Sequence, residues 1–338
     1  MRRALRLEVR PYRLRLRAPV RGVAERVGFV VRLREGIAGA GSFTDAGGAR
    51  LGLGEAAIVP EVGTETFAQA ERALRRPPLR LDELDALNAT PAARCGVELA
   101  LLDLAAQREG LPLARVLATG APLEVEVSAL LAAQDLAELV LEARRAVEQG
   151  FRTLKLKVGA DGPYARAAAV RDAVGPEVRL RLDANGAWTA AAALRFLAEV
   201  APLGIELCEQ PTPDLLGLET AAVVIAADEL CATEPDAALD RARVLVLKPM
   251  ALGGLLPSLR LAARARARGL GTLVTSSLDG AIARAGAAHL AAALLAHGPQ
   301  PAAGLATGAL LLDDVCEDRL APRGGRISLP AAAGLGLQ

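Results

Sequence analysis

The stretch RTLKLKVG, residues 152–159, sets two lysines one residue apart inside a run of leucine and valine. In a β-strand residues i and i+2 share a side, so Lys155 and Lys157 project together while Leu154, Leu156 and Val158 face the other way. Such a pair belongs either to an edge strand whose solvent face is guarded by lysines, or to a site where one cation lowers the pKa of its neighbour. The surrounding chain decides between them. From Leu123 onward, short β-like runs alternate with alanine-rich helical stretches: LEVEVSALL (123–131), TLKLKV (153–158), VRLRLDAN (178–185), IELCEQP (205–211), VVIAADE (223–229), VLVLKP (244–249), GTLVTSS (271–277) and AAGLAT (302–307). Eight strands separated mainly by helices predict an α/β fold, a parallel (β/α) barrel of the TIM type.

On either side of that repeat the rhythm differs. Strands and glycine-rich turns from Arg6 to Pro60, then helical signals from Thr64 to Ala118, predict an N-terminal α+β domain over residues 1–118. The barrel is assigned to 119–314 and the tail, 315–338, is expected to pack back on the first domain. One irregularity is foreseen inside the barrel. Between the fourth and fifth strands, TPDLLGLETAA (212–222) is too short and too broken by Pro213 and Gly217 for a full outer helix.

Composition removes several function classes. The chain has 338 residues, 52% apolar but only 2% aromatic, so alanine, leucine and valine fill the core and base-stacking platforms are scarce. A formal net charge of +1 provides no global field for nucleic acid or an anionic membrane. The arginines of MRRALRLEVRPYRLRLR (1–17) alternate with apolar residues, as on a half-exposed strand. Cys95, Cys208, Cys231 and Cys316 have no CxxC spacing, as befits reduced thiols, and no apolar run reads as a membrane span. The expectation is a cytoplasmic protein acting on a small molecule, without nucleic-acid or membrane partners, its oligomeric state open.

In a βα barrel the active site forms at the C-terminal strand ends. Those ends carry Lys155 and Lys157 on the second strand, Asp183 on the third, Glu209 on the fourth, Asp228 on the fifth, Lys248 on the sixth, and Ser276 and Ser277 on the seventh. Singly, each has an ordinary explanation: an Asx turn, a loop entry, a helix N-cap, a snorkelling lysine. Jointly, three converging carboxylates cannot all stay ionised without a cation. An all-oxygen set without imidazole or usable thiolate suits Mg²⁺, or Mn²⁺ in its place, better than Zn²⁺. Both histidines, His289 and His297, fall in or after the helix behind the seventh strand, so proton chemistry passes to lysine. A lysine of ordinary pKa, about 10.4, needs help to act as a base, and Lys155 is expected to depress Lys157.

At these residues the sequence resembles the enolase superfamily, in its muconate-lactonizing-like branch. KLK matches the family's basic strand end, LDAN, CEQP and AADE its three metal-binding acids, and LKP its opposing lysine. The strings KPMALGG, TSSLDGAIARAGAAHLAAALL and GLATG look most like the o-succinylbenzoate synthases of menaquinone biosynthesis. The resemblance implies a carboxylate substrate, Mg²⁺ bound by Asp183, Glu209 and Asp228, Lys157 as base, and Lys248 stabilising the anion from the opposite face. It also implies a capping domain whose loops near 19–28 and 59–65 set specificity, with Asn185, Ser276 and Ser277 as candidate substrate contacts. Gly186 stands where some synthases carry arginine. Open alternatives are an N-succinylamino acid racemase, using both lysines as bases, or another epimerase or cycloisomerase of the superfamily, and a Schiff-base aldolase on a similar barrel. A dipeptide epimerase fits less well, because GLATG lacks the paired aspartates that grip a substrate amine in that family.

Overall fold

The lysine strand is interior. In the computed structural model, which describes residues 2–20, 22–39, 42–44, 50–159 and 162–337, strand 153–157 is paired on both sides. An edge strand guarded by lysines is thereby excluded.

The chain begins with a long antiparallel hairpin of β1 (Arg2–Val20) and β2 (Val23–Gly39), to which β3 (Ser42–Thr44) and β4 (Leu51–Ile58) add through β2. Over 13–17, Arg13, Arg15 and Arg17 are exposed while Leu14 and Leu16 are buried, the alternation expected of a half-exposed strand. Much of the glycine-rich turn over 40–49 lies outside the described residues, as does residue 21 of the first loop expected to set specificity. Helices α1 (Phe67–Leu74), α2 (Pro91–Glu109) and α3 (Leu113–Leu117) follow. α2 is buried over most of its circumference, and its approach to β4 is set by small residues. A Cβ on Gly54 would sit 1.9 Å from the Gly96 carbonyl oxygen, so only glycine permits this contact.

The barrel wall comprises β5 (Glu124–Glu126), β6 (Ala129–Leu131), β7 (Thr153–Lys157), β8 (Arg179–Asp183), β9 (Ile205–Glu209), β10 (Ile225–Ala227), β11 (Val244–Leu247) and β12 (Gly271–Val274). Strands β6 to β12 form one seven-stranded parallel sheet in chain order. Around it lie α4 (Leu136–Glu148), α5 (Pro163–Val174), α6 (Ala190–Val200), α7 (Glu229–Thr233), α8 (Pro235–Arg241), α9 (Pro249–Leu252), α10 (Leu255–Ala267) and α11 (Ala281–Leu295). As foreseen, the β9–β10 connection carries no helix.

Two strand assignments need correction. The predicted eighth strand, AAGLAT, contributes only single bridges, Ala303 to Val127 and Gly304 to Thr275. Pro301 lacks an N–H, and a 3₁₀ turn begins at Ala306, so little chain remains to form a ladder. The first run divides into β5 and β6. β5 pairs antiparallel with β13 (Arg326–Ser328) of the tail. The tail thus touches the N-terminal region at both ends, Val315 packing with Leu14 and Leu16 and Leu335 N–H donating to Asp103 Oδ1 at 2.8 Å, and pairs with the barrel between them.

Inside the barrel, Leu207, Ala226, Val246 and Leu273 form an apolar layer beneath the strand ends. Arg181, in the same interior, is fixed by Glu206 and donates to the Ala302 carbonyl at 2.7 Å. This floor lets polar side chains above it be placed by the wall alone.

Candidate active site

Parallel register brings the charges together. Lys157 pairs with Asp183 across β7–β8, Asp183 with Glu209 across β8–β9, and Glu209 with Ala226, two residues before Asp228. Lys248 follows β11 directly. The carboxylates are 3%, 1% and 2% exposed at Asp183, Glu209 and Asp228. Ionised acids persist at such burial only beside positive charge. Lys155 Nζ stands 3.0 Å from Asp183 Oδ2 and 2.5 Å from Glu209 Oε2. Lys248 Nζ lies 2.6 Å and 2.7 Å from the two Asp228 oxygens, with hydrogen-bond geometry at Oδ2.

This arrangement gives Lys155 partners beyond the neighbouring lysine. Burial alone would disfavour its ammonium, but Asp183 and Glu209 outweigh burial and hold its pKa above the ordinary lysine value. Its ammonium thus faces Asp183 and Glu209 directly. Burial pushes Asp183 upward too, yet Lys155 overcomes it and leaves that acid below its usual range. Glu209 and Asp228 remain raised, burial being the main cause.

The rim is locally strained. Asn185, Gln210 and Leu278 have φ of 48°, 40° and 64°, a left-handed region uncommon for residues other than glycine. At Asn185 the conformation turns the backbone N–H onto Asp183 Oδ1 at 3.1 Å. Gln210 is 1% exposed, and its side chain reaches the backbone of Asp228. Ser276 Oγ lies 2.6 Å from Thr307 Oγ1, and Ser277 Oγ is buried without a hydrogen bond. Sequence reading missed Gln210, Thr307 and Arg26. The first stands within the quoted EQP, where a polar residue between an acid and a proline was the available signal.

Lys155, Lys157, Asp183, Asn185, Asp228, Lys248, Ser276 and Ser277 share a cavity of about 450 Å³. Its other wall comes from the N-terminal region, including Arg17 and Arg26. Arg26 Nη1 lies 2.5 Å from Glu61, while its buried Nε has no hydrogen-bond partner. Another cavity, about 240 Å³, opens at the opposite end of the barrel near Glu124, Gln300 and Arg326, away from these charges. His289 belongs to the scaffold. Its Nδ1 accepts from Ala114 N–H at 3.0 Å, and burial lowers its pKa to about 4.

Among the described residues, no three acidic, histidine or cysteine side chains are gathered tightly enough to enclose an ion as they stand. Lys155 is inserted between two of the acids. The donor chemistry nevertheless fits a hard divalent cation: three buried carboxylates, no nitrogen or sulfur ligand, and one buried Asp228 oxygen lacking a hydrogen bond. No helix among the described residues is long and apolar enough to cross a membrane.

A family model described as Enolase C-terminal domain-like matches residues 138–338. The o-succinylbenzoate synthase of Thermobifida fusca is 40% identical over 195 residues, covering 53% of this chain and 59% of the relative. The L-Ala-D/L-Glu epimerase of Bacillus subtilis is 34% identical over 268 residues, 74% of this chain and 72% of the relative. The corresponding enzyme of Clostridium acetobutylicum is 33% identical, and the chain spans 60% of its length; for the Enterococcus faecalis hydrophobic dipeptide epimerase the values are 35% and 63%. Solved structures extend the likeness to nearly the whole chain. The B. subtilis epimerase in a substrate-liganded complex superposes with a TM-score of 0.84 at 29% identity, covering 98% of each chain. The E. faecalis dipeptide epimerase complexed with Mg and L-Leu-L-Tyr gives 0.82 at 26%, with 98% of each chain covered. With the strand-end charges in this order and the family match spanning most of the barrel, the chain belongs to the enolase superfamily.

Proposed function

We propose that this protein is a Mg²⁺-dependent o-succinylbenzoate synthase, removing water from 2-succinyl-6-hydroxy-2,4-cyclohexadiene-1-carboxylate. Lys157, as the neutral amine, takes the proton α to the substrate carboxylate. The electron pair spreads onto that carboxylate and then forms the ring double bond as the C–O bond breaks. Lys157 returns the proton to the departing hydroxyl, so one residue serves as base and then acid. Asp183, Glu209 and Asp228 would hold Mg²⁺, or Mn²⁺ in its place, which supplies a Lewis acid where negative charge gathers. Lys155 orients Asp183 and Glu209, and Lys248 stabilises the anion from the other side. Asn185, Ser276 and Ser277 are proposed polar contacts to substrate.

The observation that carries the synthase reading is the composition of the cavity wall. At the eighth strand position it presents Gly304, Ala306 and Thr307, without a carboxylate for a substrate ammonium, while the N-terminal side adds Arg17 and Arg26, the latter paired with Glu61. That balance favours a substrate bearing two carboxylates over a dipeptide. A racemase of N-succinylamino acids is the second reading, supported by lysines arriving from both β7 and β11 and by the epimerase relatives. Lys248→Arg separates the two. Arginine keeps the charge but cannot serve as a base, so dehydration survives at reduced rate whereas two-base racemisation disappears. The direct test is o-succinylbenzoate formation with Mg²⁺ and with chelator. Turnover only with Mg²⁺ is expected; rapid racemisation with no o-succinylbenzoate overturns the assignment.

A further inference from the structure

We propose that Gln210 is a positioning residue that fixes Asp228 relative to Glu209, so that both acids open onto one ion; this rests on the metal reading above. Gln210 follows Glu209 directly, where β9 ends and the helix-less connection begins. Its side-chain carbonyl accepts from Asp228 N–H at 2.8 Å and Leu230 N–H at 3.3 Å. Its amide donates to the Thr212 and Pro213 carbonyls at 2.9 Å and 3.0 Å. The backbone is equally committed. Gln210 N–H donates to the Ala226 carbonyl at 2.9 Å, and its own carbonyl accepts from Gly186 N–H at 2.6 Å.

One residue thus ties together the chain segments that follow all three acids. Gly186 lies three residues past Asp183, Glu209 is the preceding residue, and Asp228 is gripped at its own amide. The left-handed backbone is sustained because these bonds over-determine it. A merely structural glutamine would hold the loop through Thr212 and Pro213. The contacts at Asp228 and Leu230 instead orient the start of α7, from which the Asp228 carboxylate projects. Groups that orient metal ligands act on affinity itself, typically by about 10–100-fold.

The two halves of the side chain separate by substitution. Gln210→Met preserves length and removes both. Gln210→Glu keeps the acceptor facing Asp228 and loses the amide donors. Metal-free wild type and variants are titrated with Mn²⁺ by calorimetry, alongside thermal melts without metal. The expected result is one Mn²⁺ bound by wild type, affinity about 10–100-fold weaker in Gln210→Met, and affinity at least equal to wild type in Gln210→Glu. Should Gln210→Met fail to fold, Gln210→Asn, too short to reach Asp228 N–H, is held to the same loss.

Wild-type affinity in Gln210→Met or Gln210→Asn, with only the melting temperature lowered, overturns the inference while leaving the metal site standing. So does Gln210→Glu binding as weakly as Gln210→Met. Folded wild type that binds no Mn²⁺ overturns the metal reading and, with it, the role of Gln210.

Discussion

Two groups of buried carboxylates lie within this chain and differ in what satisfies them. In the N-terminal region, Glu65 accepts from Ala92 and Ala93 N–H at 2.9 Å and 2.8 Å, where α2 starts. Glu98 accepts from Leu256 N–H at 3.0 Å where α10 starts, and Glu55 from Gly280 and Ala283 N–H at 2.6 Å and 3.0 Å where α11 starts. These acids cap helices, and the last two join the N-terminal region to the barrel. At the mouth, Asp183, Glu209 and Asp228 lean on the ammonium groups of Lys155 and Lys248. A backbone N–H has no second position, whereas an ammonium on a flexible stem can turn toward another partner. Burial is common to both groups; the scaffold acids each accept from N–H groups at a helix start, Glu98 with the Arg94 guanidinium besides at 2.9 Å, whereas each mouth acid faces a lysine ammonium.

The sharpest contrast is kinetic. Lys157→Ala should remove turnover and α-proton abstraction, a loss of about 10²–10⁴-fold or more for a general base, with the melting temperature little changed. Residual activity near wild type would assign the base elsewhere.

His289 tests the scaffold side through pH. Its folded pKa, about 4, lies below the ordinary value of 6.5, so the fold favours the neutral ring. The stability it contributes is fully present above pH 6.5 and lost as pH falls toward 4, reaching about 3 kcal/mol at the limit. His289→Asn keeps an acceptor for Ala114 N–H but cannot titrate. Its stability, followed by denaturant melts, should lose that share of the acid dependence, while wild type keeps it.

The smallest expected effect is at a helix start. Glu65→Ala should cost about 1 kcal/mol, as capping losses do, with kcat unchanged. A fall in kcat matching that of Asp228→Asn would erase the distinction between the two groups of acids.

Much of the mouth was legible because each charge ends an apolar run, and parallel register turns that pattern into adjacency. The missing helix between β9 and β10 was legible for a similar reason: Pro213 and Gly217 break a short connection. Other features depend on contacts that no local pattern encodes. AAGLAT looked like a strand but is limited to two bridges by Pro301 and the turn at Ala306. The acids that Lys155 meets, Asp183 and Glu209, come from the next two strands and leave no trace in KLK. Gln210 was passed over because its partners, Thr212 and Pro213 aside, are set by the meeting of β8, β9 and β10.

The central claim, that the mouth acids hold a divalent cation while the capping acids hold the fold, is tested most directly by thermal denaturation across a Mg²⁺ titration. A ligand bound only by the native state adds about 2.7 kcal/mol at a hundred times its Kd. Wild type and Glu65→Ala should rise in parallel with Mg²⁺, while Asp183→Asn, Glu209→Gln and Asp228→Asn stay flat. A wild-type melting temperature indifferent to Mg²⁺, or an Asp228→Asn variant rising as wild type does, would contradict the account.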